Sequence, residues 1–332
     1  MSQIGIVAIG RNEGDRLKQC LQSVVGKAAQ VVYVDSGSTD GSVEMAASLG
    51  VDVVALDLST PFTAARARNA GFARLLELRP ALDYVQFVDG DCEVVEGWLD
   101  KAQQMLDAHP EIVVVCGRRR ERYPEKSLFN RLCEIEWDTP IGEAKACGGD
   151  AMMRAKAVQA VGGYNPNLIA GEEPELCVRL RQKGGKIWRM DAEMTLHDAA
   201  MTRTSQWWKR SKRSGHAFAE GAFLHGASPE RHWVRESRSI WLWGVMVPSV
   251  ALVGAWFTHG FSLLLLLAYP LIMFKIYRYL RSTGRSPQES RLYAIACVVG
   301  KFAEAQGLFQ FHWNRLLGKR SQLIEYNTSA ST

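Results

Sequence analysis

The 332-residue sequence predicts an α/β fold: a mixed, mostly parallel sheet flanked by helices over residues 1–200, followed by a C-terminal helical, membrane-associated region. Three observations predict it. Short Val- and Ile-rich runs alternate with amphipathic stretches in the first 200 residues, the pattern of strands buried on both faces with helical crossovers between them. Clusters of Gly, Asp, Asn and Ser follow those runs, at the strand ends where such sheets bind ligands. Beyond residue 200 tryptophan, arginine and long apolar runs concentrate.

The runs Ile4–Ala8, Val31–Val34, Val51–Ala55, Tyr84–Val88 and Ile112–Cys116 read as strands, being short, branched and bounded by Gly, Asp or Pro. Between them Asp15–Val25, Ser42–Leu49 and Gly97–Ala108 read as helices, with Gly26 and Gly50 placed as C-terminal stops. Residues 201–239 form a basic connecting segment that carries Trp207-Trp-Lys-Arg-Ser-Lys-Arg213. Residues 240–280 read as a hydrophobic helical hairpin: Ile240–Phe257 and Phe261–Phe274 are uncharged and Thr258-His-Gly260 joins them. Basic residues flank it on both sides (Arg231, Arg235 and Arg238; Lys275, Arg278, Arg281 and Arg285) and the turn has none, which sets both ends in the cytoplasm. A buried helical pair in a soluble domain, or a re-entrant hairpin that never fully crosses, is the alternative. Residues 281–332 hold an amphipathic helix, Ser290–Leu317, and a tail; the helix suits a membrane interface or the surface of a soluble domain.

Composition narrows the function. Charged residues at 23% and hydrophobic ones at 47% are ordinary for a globular chain. A net charge of +5, with no basic stripe interleaved with aromatics in the first half, points away from nucleic acid. Seven cysteines without C-x-x-C spacing speak against a disulfide framework and a zinc site, and fit a reducing compartment. No secretory signal precedes the first strand.

Asp89-Gly-Asp91 follows a strand, and two carboxylates one residue apart can converge on one divalent cation; oxygen ligands suit Mg²⁺ or Mn²⁺. Such a pair also occurs in ordinary turns. Asp35-Ser-Gly-Ser-Thr-Asp-Gly41 leaves a strand and opens a helix; it is a well-capped turn, or a nucleobase site in which Asp35 accepts an N–H and Gly37 permits close approach. Glu172 and Glu173 fall at the start of a helix containing Pro174 and ended by Gly184, where the helix dipole keeps a carboxylate ionised as a general base requires. Compensation of that dipole alone is the plain alternative.

Taken in order, four segments over about residues 3–200 resemble the family 2 glycosyltransferases of the GT-A fold: Ile9-Gly-Arg-Asn-Glu13; Val34-Asp-Ser-Gly-Ser-Thr-Asp-Gly41; Ala67-Arg-Asn-Ala-Gly71 with Val88-Asp-Gly-Asp91; and Gly148-Gly-Asp150 through Gly162-Gly-Tyr164 to Gly171-Glu-Glu173. By that resemblance Asn12, Glu13 and Asp35 hold the nucleoside of a nucleotide-sugar, Arg68 lies near its diphosphate, Asp89 and Asp91 hold the metal, and Glu173 matches the base. The family usually has Pro and an aromatic where this chain has Ile9-Gly10-Arg11, and commonly Glu-Asp where it has Glu172-Glu173, so either glutamate can be the base. His197 matches a position that is a metal-proximal histidine in several relatives, and is otherwise a solvated or capping one. Lys209 and Arg210, with Lys212 and Arg213, match a basic Trp-containing segment that folds over the diphosphate in relatives; anionic lipid head groups would suit them equally. The resemblance implies an inverting transfer to an acceptor hydroxyl, and the hairpin suggests a lipid-linked saccharide acceptor at the inner membrane with the catalytic domain facing the cytoplasm. A polyprenyl-phosphate glycosyltransferase and a catalytically silent nucleotide-sugar-binding membrane protein are the alternatives.

Overall fold

The computed structural model describes residues 3–319 and 323–325. They form two compact units, one within residues 3–122 and 137–199 and the other within residues 123–136 and 200–325.

In the first unit the chain runs β1 (Ile4–Gly10), α1 (Asp15–Val24), β2 (Gln30–Asp35), α2 (Ser42–Ser48), β3 (Asp52–Ala55), α3 (Ala64–Leu78), β4 (Tyr84–Asp89), β5 (Cys92–Val94), α4 (Trp98–Ala108) and β6 (Ile112–Glu121). It then leaves for α5 (Leu128–Glu136), a helix of the second unit. It returns as β7 (Gly142–Glu143), β8 (Ala151–Arg154), α6 (Ala155–Ala160), α7 (Glu172–Gln182) and β9 (Lys186–His197). The strands make one sheet in the order β3-β2-β1-β4-β8-β6-β9-β5, with β7 on β9. β3, β2, β1 and β4 are parallel, β8 runs against both β4 and β6, and β6 and β9 are again parallel.

The expected strands and helices form within a few residues of their predicted ends, because burial on both sheet faces selects those apolar runs. Ile6, Val7, Ala8, Val32, Val34, Val85 and Phe87 are fully buried. Gly71 lets α3 lie close on that sheet, since a Cβ there would stand 2.4 Å from Val7 Cγ1. One strand is longer than predicted: β6 continues past Cys116 through Arg118, Arg119 and Arg120, with its pairing to β9 slipping at irregularities near Gly117. Register sets the site. Gly10 pairs with Asp35 on one side of β1 and Ile9 with Asp89 on the other, so both aspartates emerge at the same sheet edge.

The second unit is helical: α5, α8 (Thr204–His225), α9 (Val234–Phe257), α10 (Phe261–Ser282) and α11 (Pro287–Leu316). The connecting segment is thus largely one helix of 22 residues. α9 contains a π-turn at Trp241–Met246, two residues before Pro248, whose missing N–H disrupts the regular ladder. α11 opens on a capping box of Ser286 and Glu289. α8 and α11 meet at glycines: a Cβ on Gly307 would lie 1.8 Å from Lys212 O, and one on Gly215 would lie 2.0 Å from Glu304 O. Three described helices, α9, α10 and α11, are long and apolar enough to cross a membrane, and the first two carry large exposed apolar side chains such as Trp256 at 85% and Leu271 at 68% exposure. The tail beyond residue 325 lies outside the described residues.

Candidate active site

Asp89 ends β4 and Asp91 sits in the turn into β5. β5 pairs antiparallel with β9, Cys92 opposite His197, which carries the imidazole beside Asp91: His197 Nε2 lies 3.2 Å from Asp91 Oδ2. On its other side His197 faces Glu121, 3.7 Å away across the β6–β9 pairing, and Trp137 packs edge-on at 4.7 Å. Burial by itself lowers the His197 pKa, but Asp91 and Glu121 outweigh it and raise it to about 9. Burial likewise works against ionised Asp91, yet His197 and Arg16 hold it well below the usual carboxylate range.

Asp89 is shared between two guanidinium groups. Arg68, almost fully buried on α3, places Nη2 at 2.6 Å from Asp89 Oδ1 and Nη1 at 2.7 Å from Glu172 Oε1. Arg119 places Nη2 at 3.4 Å from Asp89 Oδ2 and 2.8 Å from Asp150 Oδ2. Asp150, fully buried just before β8, also accepts from Asp89 N at 3.0 Å and Thr195 Oγ1 at 2.7 Å. Gly149 permits this crowding, because a Cβ there would stand 2.6 Å from Asp89 Oδ2.

The predicted nucleoside loop is assembled locally. Asp35 Oδ1 accepts from Tyr33 OH at 2.9 Å, and Oδ2 accepts from Gly37 N and Ser38 N, each at 2.9 Å. Burial raises the Asp35 pKa, but the Ser38, Tyr33 and Gly37 bonds outweigh it and lower it overall. Asn12, at positive φ, accepts from Thr39 N at 2.7 Å, while its own N–H donates to Ser38 Oγ at 2.9 Å. Glu13 turns toward the carboxylate pair; burial and then Asp91 raise its pKa to about 7, and Arg16 lies 2.6 Å away.

Glu172 and Glu173, adjacent at the start of α7, diverge. Glu172 binds Arg68, whereas Glu173 Oε1 accepts from Cys147 N at 2.6 Å, Cys147 Sγ at 2.8 Å and Cys177 Sγ at 2.9 Å. Burial raises the Glu173 pKa, with those bonds pulling the other way. Lys209 and Arg210 lie on α8 in the helical unit; Lys209 is exposed and Arg210 pairs with Glu136 at 2.7 Å.

Two groups at the sheet edge bring ligand atoms within 4.8 Å of one another: Asp91 with Cys92 and His197, and Asp89 with Cys92 and Asp150. Carboxylate oxygens with one imidazole nitrogen are donors a divalent cation takes, so these residues fit Mg²⁺ or Mn²⁺. The Cys92 thiol, pushed well up by burial, is space-filling there. Sequence reasoning assigned no role to Arg119, Asp150 or Arg16. Gly148-Gly-Asp150 held a signal; the run Arg118-Arg-Arg120 carried none.

Residues 6–158 match the family described as Glycosyl transferase family 2, and the sheet with its flanking helices is of the GT-A type. The succinoglycan biosynthesis protein ExoA of Rhizobium meliloti is 28% identical over 174 residues, covering 49% of this chain and 52% of that protein. The pre-mycofactocin glycosyltransferase of Mycobacterium tuberculosis is 24% identical over 235 residues, covering 67% of this chain and 48% of its own. The chain therefore spans about half the length of these two relatives. Among solved structures, the mannosyltransferase PcManGT of Pyrobaculum calidifontis, in complex with GDP-Man and Mn²⁺, shares the fold at a TM-score of 0.62 and 17% identity, over 94% of this chain and 88% of its own. Glucosyl-3-phosphoglycerate synthase of Mycobacterium tuberculosis, with Mn²⁺ and UDP-glucose, follows at a TM-score of 0.51 and 18% identity, over 69% of this chain and 80% of its own.

Proposed function

We propose that the chain is an inverting glycosyltransferase that moves a sugar from a nucleotide-sugar donor to an acceptor hydroxyl, on a lipid-linked saccharide of polysaccharide biosynthesis at the cytoplasmic face of the inner membrane. The observation that carries it is the pairing of Asp91 with His197 beside that of Asp89 with Arg68 and Arg119 where β4 ends, within a segment matched to family 2. Asn12, Glu13, Asp35 and Gly37 form the nucleoside side. Asp89, Asp91 and His197 would hold Mg²⁺ or Mn²⁺, which supplies charge neutralisation for a departing nucleoside diphosphate. The His197 imidazolium must lose its proton to serve as a ligand. Arg68 and Arg119 face the same leaving group and balance its charge. Glu173 takes the proton of the acceptor hydroxyl as the oxygen attacks the anomeric carbon; burial raises its pKa, which strengthens it as a base. Glu172 fixes Arg68 through their 2.7 Å ion pair. Lys209 and Arg210, on the helical unit, meet the anionic head groups of the membrane.

The exposed apolar helices support the lipid-linked acceptor. The test is Asp91→Ala in the full chain. Transfer should fall by about 10³-fold or more, the loss of several kcal/mol of charge stabilisation, while circular dichroism stays unchanged. Undiminished transfer overturns the reading. Transfer to a polyprenyl phosphate in place of a hydroxyl would yield an acid-labile sugar phosphate, which product analysis separates from a glycosidic bond.

A further inference from the structure

A second cluster stands at the start of α7 and uses different chemistry. Cys147 Sγ and Cys177 Sγ are 3.7 Å apart, and both thiols donate to Glu173 Oε1, at 2.8 Å and 2.9 Å. Glu173 and Cys177 face the same way because they are one helical turn apart. Cys147 joins them from the loop ahead of β8, where its backbone N–H also donates to Glu173. One ligand atom from each of the three lies within 4.8 Å of the others. The sequence gives no hint of this grouping, since the cysteines are 30 residues apart and form no C-x-x-C spacing.

We propose that Cys147, Cys177 and Glu173 bind a thiophilic divalent cation, Zn²⁺. Two thiolates and a carboxylate are a borderline-soft donor set, unlike the oxygen-rich set at Asp89 and Asp91. A tetrahedral zinc with Zn–S bonds of about 2.3 Å separates its sulfurs by roughly 3.8 Å; here they already stand 3.7 Å apart. The carboxylate oxygen sits closer to each sulfur than in such a centre, because thiol protons now bridge them. Zn²⁺ replaces those protons: two S–H bonds break, two Zn–S bonds and one Zn–O bond form, both protons pass to solvent, and water completes the shell. Cys177 is fully buried and Glu173 is 4% exposed, so Cys147, at 9%, is where the ion reaches the cluster. A cation on Glu173 Oε1 withdraws charge from the carboxylate and lowers its basicity, so Zn²⁺ inhibits sugar transfer. That consequence, unlike the binding itself, rests on the function proposed above.

The test uses the purified full chain in detergent with Co²⁺ as a spectroscopic substitute. One equivalent of Co²⁺ should produce a thiolate-to-cobalt charge-transfer band that Zn²⁺ abolishes by displacement. In the unmodified chain, Zn²⁺ should shield Cys147 from iodoacetamide, read by peptide mass spectrometry. Cys147→Ser and Cys177→Ser should each weaken Co²⁺ binding by about 100-fold or more, and Asp91→Asn should keep the band. No thiolate band, a band that survives both serine variants, or equal labelling with and without Zn²⁺ overturns the site. If the band appears and Zn²⁺ leaves Mn²⁺-supported transfer unchanged, the site stands and the assignment of Glu173 as base fails.

Discussion

At Asp89 one carboxylate is divided between two guanidinium groups, and the balance extends inward, since Arg119 also neutralises the fully buried Asp150. Removing one member of a buried pair leaves the other charge without compensation. Arg119→Ala should therefore lower stability by about 3–5 kcal/mol, read as a shift of the denaturant midpoint. The two glutamates of α7 should separate kinetically. Glu173→Gln removes the proposed base and should cut kcat by about 10²–10⁴-fold with the donor KM held. Glu172→Gln frees Arg68 and should act mainly on the donor KM; equal effects of the two on kcat would dissolve the assignment. Asp89 and Asp91 were legible in the sequence because they follow a plain strand. Arg119 was not, because nothing in the run Arg118-Arg-Arg120 marks one arginine over its neighbours, and only the strand's alternation turns the middle one inward.

Among the elements, the strands of the parallel half were readable because burial on both faces demands unbroken apolar runs. β7 and β8, two and four residues long, carry too little pattern to be seen, and α5 shows its partners only in the fold. α8 holds a pair whose titrations oppose each other. Burial lowers the His216 pKa to about 4, assisted by Lys212, and raises that of Glu220 to about 7; the two side chains lie 3.5 Å apart. Unfolding releases His216 to take up a proton between about pH 4 and 6.5, so its contribution rises with pH in that window. Unfolding makes Glu220 lose a proton between about pH 4.5 and 7, so its contribution falls. Each amounts to something on the order of 3 kcal/mol. In the unmodified chain the slopes nearly cancel. Glu220→Gln should then gain stability as pH rises from 4 to 6.5, and His216→Phe should lose it from 4.5 to 7, in calorimetric scans. Gly307→Ala, with its Cβ pressed on Lys212 O, should cost about 1–3 kcal/mol through overpacking of α8 on α11.

For the molecule as a whole, the helical unit predicts its own solvent. With Trp256, Leu252, Phe261 and Leu271 exposed on helices of spanning length, the chain should float with liposomes and resist carbonate extraction. Recovery in the aqueous fraction without detergent would overturn the membrane reading. Leu264→Arg should weaken insertion by about 2.5–3.5 kcal/mol. The excursion between β6 and β7 bears on how such a protein can be taken apart. The peptide passes from one unit to the other at three places, after Arg122, Glu136 and Ala199, so no single cut yields two intact pieces. A fragment ending near residue 200 would carry Leu132, Cys133 and Ile135, all buried in the whole chain, without the greater part of the unit they belong to. Trimming the apolar helices to obtain a soluble enzyme would therefore create a new sticky surface in the middle of the sequence, and a workable division has to splice Arg122 to Trp137 as well.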